Sequence, residues 1–256
     1  MADFDTRTIR DTSLADARDA GLRKYMQNIY NYMFLGLAMT GITAYGTYLA
    51  SVTTDHALAA GTLPNGVMLT QIGVTLFGSA LRWVVIFSPL ALVFLLQARL
   101  NSISAGAARI GFFAYAALLG VSLATIFMVY TMTSIGMVFF ITAATFAGMS
   151  LYGYTTKADL SGWGSFLIMG VWGVVIASVV NVFLHSPMLL FVFSVVGVIV
   201  FTGITAFYTQ RIKDMYSVHD DGSVAERKAI VGALALYITF INLFLSLLNL
   251  FGGSRR

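Results

Sequence analysis

Seven stretches of this chain contain not one Asp, Glu, Lys, Arg or His: residues 28–53, 83–98, 110–131, 135–155, 164–184, 188–208 and 230–251. A helix needs about 20 apolar residues to cross a hydrocarbon core about 30 Å thick. Six of the stretches meet that length. The shorter one, 83–98, contains Pro89, which removes an internal hydrogen bond, and is expected to span with a kink. In lipid every backbone N–H and C=O must be satisfied within the segment, so such runs form helices. The expected fold is therefore an all-α integral membrane protein, a seven-transmembrane-helix bundle. Composition excludes the other classes. Charged residues are 10% of the chain against about 25% in a soluble domain, and Cys is absent. A disordered chain, a disulfide scaffold and an ordinary soluble enzyme all fail on these figures.

The bases carry an orientation signal. Twelve fall on one side of the bundle: Arg7, Arg10, Arg18, Arg23 and Lys24 in the N-terminal tail, then Arg99, Arg109, Lys157, Arg211, Lys213, Arg227 and Lys228 in connections. Three fall on the other: Arg82, Arg255 and Arg256. The positive-inside rule then puts the N-terminus in the cytoplasm and the C-terminus outside. An eighth span at 67–81 would reverse most later bases, so that stretch reads as interfacial or re-entrant. Residues 1–24 read as a mobile cytoplasmic tail with five Asp beside its five bases, either simply solvated or a docking handle, and no signal peptide is expected. Residues 25–256 form one membrane domain. The net charge of +4 is no nucleic-acid patch, since the bases do not cluster.

Chemistry is sparse. Ionisable groups inside spans are functional by default, and here there are none. His56, His185 and His219 fall in separate connections without metal-ligand spacing. No catalytic residue, metal site or cofactor is expected. Most glycines sit in spans, where close helix approach is their expected role; Ala144 and Gly148 form one small-xxx-small pair. Ser223 and Glu226 match a capping box, which starts the last helix near Val224. Within it Thr239, Asn242, Ser246 and Asn249 recur at steps of 3, 4 and 3, on one stripe. Asn181, Ser194, Thr205 and Tyr208 are possible partners for that stripe. It is either hydrogen-bond glue between helices or the lining of a polar path for an ion. Spacing does not separate the two.

Three separated motifs carry a resemblance. Leu151-Tyr-Gly-Tyr-Thr-Thr-Lys-Ala-Asp-Leu-Ser161, Thr209-Gln-Arg-Ile-Lys213 and Phe240-Ile-Asn-Leu-Phe244 occur in that order, with Leu81-Arg-Trp-Val-Val85 and Ser88-Pro-Leu90 fitting the same pattern. The chain resembles the Bax inhibitor family in its bacterial YccA-like branch, over roughly residues 25–252. The resemblance implies a seven-helix protein of the bacterial inner membrane and a pH-gated calcium leak. In some bacterial relatives it implies instead action on a membrane-bound AAA protease through the tail.

The resemblance also implies a gate made of two buried carboxylates, one in each of the last two spans, with an arginine latch near the end of the second. Here Phe207-Tyr-Thr-Gln210 has Tyr208 where the pattern has Asp, and Leu236-Tyr-Ile-Thr-Phe-Ile-Asn242 has Thr239 at the other Asp position. Arg99 stands near the latch position, where it equally serves as a positive-inside anchor. A phenol with a pKa near 10 and a hydroxyl that does not titrate provide no switch at neutral pH. A hydrogen bond between Tyr208 and Thr239 would plug the same spot. Two readings follow: a calcium or other cation leak with gating lost or altered, or a non-conducting protein that modulates a protease or stress response.

Overall fold

The computed structural model describes residues 2–63, 66–99 and 103–253, with side chains from residue 18 onward except Val182. Arg255 and Arg256, counted above for orientation, lie outside these residues, as do the side chains of the first part of the tail. Helix α1 covers Ala2–Ser51, and it is continuous across residue 24, where the sequence suggested a boundary between tail and membrane domain. Three two-residue strands follow: β1 (Val52–Thr53), β2 (Gly61–Thr62) and β3 (Met68–Leu69), an antiparallel sheet in the order β1-β3-β2. The short α2 (Gln71–Gly73) and a five-residue π-helical turn at Val74–Gly78 lead into α3 (Leu81–Arg99). Residues 67–81 thus form a strand and two short helical turns, too short to cross a bilayer.

The rest is helical: α4 (Ala105–Leu123), α5 (Ile126–Val129), α6 (Met132–Thr155), α7 (Ser161–Leu184), α8 (Pro187–Asp214) and α9 (Gly222–Phe251). Among the described residues seven helical segments are long and apolar enough to span, with α4 and α5 counted together. Each expected stretch falls on one of them, although the helices overrun the stretches. The helix α8 runs six residues past Tyr208, and α9 begins eight before Ile230. The reason is physical: counting apolar residues measures the hydrocarbon thickness, and helices continue beyond it into the polar region.

Local chemistry sets the ends and breaks. Pro89 has no N–H for the carbonyl of Val85; the Ser88 hydroxyl donates to that oxygen at 3.4 Å, and α3 continues through the proline. The third span breaks at Ala124–Thr125, where Ala124 N–H bonds three residues back to Val121. Between α7 and α8 the chain turns sharply through His185, at φ 50°. Ser186 then caps α8 ahead of Pro187 in its first turn, the arrangement those residue types favour. The capping-box expectation for α9 is corrected. Asp221 is the cap, accepting from Val224 N–H at 2.7 Å and from the Ser223 hydroxyl at 2.8 Å, while Glu226 points elsewhere. Those two bonds hold the Asp221 carboxyl below its usual range.

The helix α9 is the axis of the bundle. In its most apolar 18 residues 72% are buried, against 17–33% for the other six spans. It packs on α1, α4, α6 and α8, while α3 leans on α4 and α7 on α8. Close approach is made by small residues, though not by the expected pair. A side chain at Gly148 would meet nothing within 4 Å, so the Ala144–Gly148 pair does not mark a contact. The tight crossings are at Gly120, against the backbone of Thr40, and at Gly153, against the backbone of Ala206.

Candidate functional site

The two positions singled out in the last spans lie on the most extensively packed pair of helices. Thr239 is 2% exposed on α9, and its hydroxyl donates to the Ala235 carbonyl of its own helix at 2.9 Å. Tyr208 is half-buried on α8, its ring centroid 5.6 Å from that of Phe207. No hydrogen bond joins Tyr208 to Thr239, so the expected plug is absent. The hydroxyl of Thr239 finds a cheaper acceptor four residues back, a choice open to any Ser or Thr in a helix.

The same choice dissolves the stripe as interhelical glue. Asn242 donates to Ile238 and Ser246 to Asn242, both at 2.8 Å. The expected partners do likewise: Thr205 donates to Phe201 and Ser194 to Leu190, both at 2.7 Å. Only Asn249, exposed near the end of α9, bonds across helices, accepting from the Tyr130 hydroxyl at 3.0 Å. Asn181 serves the α7–α8 turn, where its side-chain oxygen accepts from Ser186 N–H at 2.9 Å. From Thr239 to Ser246 the stripe is therefore a row of internally satisfied groups, with Ser246 seated against Gly197 of α8.

Hydrogen bonds between helices come from residues outside the stripe. The Thr40 hydroxyl of α1 lies 2.6 Å from the Tyr237 hydroxyl of α9 and 2.9 Å from the Ala116 carbonyl of α4. Thr40 has one proton, so when it serves a carbonyl Tyr237 must donate to Thr40. Tyr237 is fully buried, with the rings of Phe112 and Tyr115 edge-on to it. A second set joins α1, α6 and α8: Tyr30 to Ser150 at 2.6 Å, and Ser150 to Thr209 at 3.0 Å. Beside it, Gln210 holds the α6–α7 connection by accepting from Leu160 N–H at 2.9 Å and donating to the Ala158 carbonyl at 2.8 Å. Lys213 donates to the Tyr154 carbonyl at 2.9 Å. Two sequence motifs, 151–161 and 209–213, thus form one clamp.

At the base-rich end, Glu226 of α9 pairs with Arg109 of α4 and accepts from the Tyr32 hydroxyl of α1 at 3.0 Å. The triad ties three helices where they leave the apolar layer. Arg99 closes α3 and is exposed; Arg109, on the next helix, pairs with the Glu226 carboxylate. Sequence reasoning missed the triad because Glu226 matched a cap and Arg109 an orientation signal. Asp220 pairs with Lys228 at 2.7 Å. A cleft of about 630 Å³ opens between α1 and the α8–α9 connection, with Asn28, Asn31, Asp220 and Glu226 among its lining. Removing one triad partner should destabilise the fold. Glu226→Gln is expected to lower the melting temperature, and adding Arg109→Gln to cost less than it does alone. That coupling should shrink in high salt, because the pair is partly exposed. Additive losses in a thermal-melt cycle would refute the tie.

Comparison with known proteins agrees with this architecture. The family model described as inhibitor of apoptosis-promoting Bax1 matches residues 22–256. The inner membrane protein YbhL of Escherichia coli is 42% identical over 248 residues, covering 96% of this chain and 98% of YbhL. An uncharacterized protein of Caulobacter vibrioides is 42% identical over 240 residues, 93% of this chain and 91% of its own. The uncharacterized protein RP147 of Rickettsia prowazekii is 39% identical over the full length of both chains. With seven helices able to span, the chain is a multi-pass protein of the inner membrane. Its motifs, its fold and its relatives lead to one conclusion: the chain belongs to the Bax inhibitor family.

Proposed function

We propose that this protein is a membrane cation leak, with calcium as its ion, whose gate does not titrate near neutral pH. The base-rich end faces the cytoplasm in this reading, and the protein transports without catalysing. The observation that carries it is Thr239, almost fully buried on the axial helix at the position where the family pattern has a carboxylate. Tyr208 stands at the second such position on the neighbouring α8. Neither side chain changes charge between pH 6 and 8. Neither makes a good resident calcium site, because that ion takes six to eight oxygens and prefers carboxylates among them. The cleft with Asp220 and Glu226 in its lining supplies a polar approach from the base-rich end.

The test is calcium entry into dye-loaded proteoliposomes holding the full chain. The expected result is flux above protein-free vesicles that stays flat from pH 6 to pH 8. A steep response in that range would overturn the ungated reading. Flux no greater than in empty vesicles would favour the second reading, a non-conducting modulator of a membrane-bound AAA protease or stress response. One observation supports that alternative: α1 runs unbroken from Ala2 through its span, so the tail is helically continuous with the bundle. Deleting residues 2–24 should then abolish protease modulation, whereas a leak would survive it.

A further inference from the structure

Between α1 and α6 the bundle is open. The helix α1 packs on α4 and α9, and α6 on α8 and α9, which leaves a groove of about 520 Å³ with Phe240 of α9 on its floor. That volume is in the range of ligand-holding clefts. Its walls change character with depth. Leu37 and Ala143 line the deep end, Tyr30 and Ser150 the middle, and Arg23 and Tyr154 the base-rich mouth. Along α1 from Arg23 to Leu37 the groove runs about 21 Å at 1.5 Å per residue. One leaflet is about 15 Å of hydrocarbon, so this length takes in an acyl chain and the headgroup above it.

The mouth is lined by a base, Arg23. Arg23 is exposed and has no ion-pair partner among the described side chains. Tyr154, on the opposite wall, is in turn held by Lys213 of α8, which lies 5.3 Å from its ring centroid and donates to its carbonyl. An apolar slot ending at such an arginine fits a tail that carries a negative head. We propose that the groove holds one anionic phospholipid, its acyl chain against Phe240 and its phosphate on Arg23 at the mouth. The lipid fills the gap beside the Tyr30–Ser150 bond and completes the packing of α1 on α6.

The full chain, reconstituted with equal phosphatidylglycerol and phosphatidylcholine and released into the gas phase for native mass spectrometry, should retain one phosphatidylglycerol per chain. Arg23→Gln should lower the preference for phosphatidylglycerol over phosphatidylcholine about fivefold, the effect of one base near a lipid surface. Ala147→Trp, a substitution at an exposed position on the α6 wall, should remove the bound lipid, while Val179→Trp on the exposed side of α7 should not. Palmitate at equal concentration should leave the phospholipid in place. Equal retention of both lipids by the parent, retention unchanged in Ala147→Trp, or displacement by palmitate would each overturn the assignment.

Discussion

Replacing Tyr208 and Thr239 together by aspartate is expected to make calcium flux rise about tenfold or more between pH 5 and pH 8, where the parent stays flat. Thr239 is 2% exposed on the axial helix, and α8 is its most closely packed neighbour. A carboxyl group placed in such an apolar contact resists ionising, so it holds its proton above the usual value near 4. The sign follows from linkage. A carboxyl with a raised folded-state value binds more protons folded than unfolded, so stability falls as pH rises from the unfolded value up to the folded one. Ionisation also draws water and calcium into the α8–α9 contact, which is why flux should climb over the same range. Thr239→Asp alone should account for most of the stability loss, since Tyr208 is only half-buried. Flux assays in proteoliposomes and melts from pH 5 to 8 check both halves. A double variant as flat as the parent would remove these positions from the conduction path.

The seven spans were legible because an uncharged run of about 20 residues has one solution in lipid. What the helices do to one another was not. Every span is apolar, so nothing in hydropathy marks α9 as the axis. Its own polar residues hold the hint, for Tyr237 and Thr239 lie on nearly opposite faces and both are buried, as only a helix surrounded on all sides allows. The spacing of the stripe from Thr239 to Asn249 left glue and ion path open, because it does not show that a hydroxyl in a helix carries its own acceptor four residues away. The clamp was hidden for a different reason. Ser150 and Thr209 are 59 positions apart, and spacing within one segment says nothing about pairing across such a distance.

The choice between glycines shows how sharp that limit is and gives a large expected effect. Gly148 and Gly153 sit on α6 five residues apart, roughly 140° around the helix. A side chain at Gly148 would project into open space, whereas one at Gly153 would lie 2.8 Å from the Cα of Ala206 on α8. Gly153→Val should therefore push α6 and α8 apart at about 1–3 kcal/mol for the overpacking alone. Separation also strains the bonds that this crossing keeps short, Ser150 to Thr209 at 3.0 Å and Lys213 to the Tyr154 carbonyl at 2.9 Å. Interhelical bonds in membranes are worth about 0.6 kcal/mol each. For a chain of this size the melting temperature should drop by about 5–10 °C. Gly148→Val should melt within a degree or two of the parent, since it meets nothing. Ala206→Gly should not rescue Gly153→Val, because the obstacle is the carbonyl and Cα of residue 206, which every amino acid shares. Thermal melts followed by size-exclusion chromatography in detergent separate these outcomes. Rescue by Ala206→Gly, or equal losses at 148 and 153, would show that the backbone contact does not hold α6 to α8.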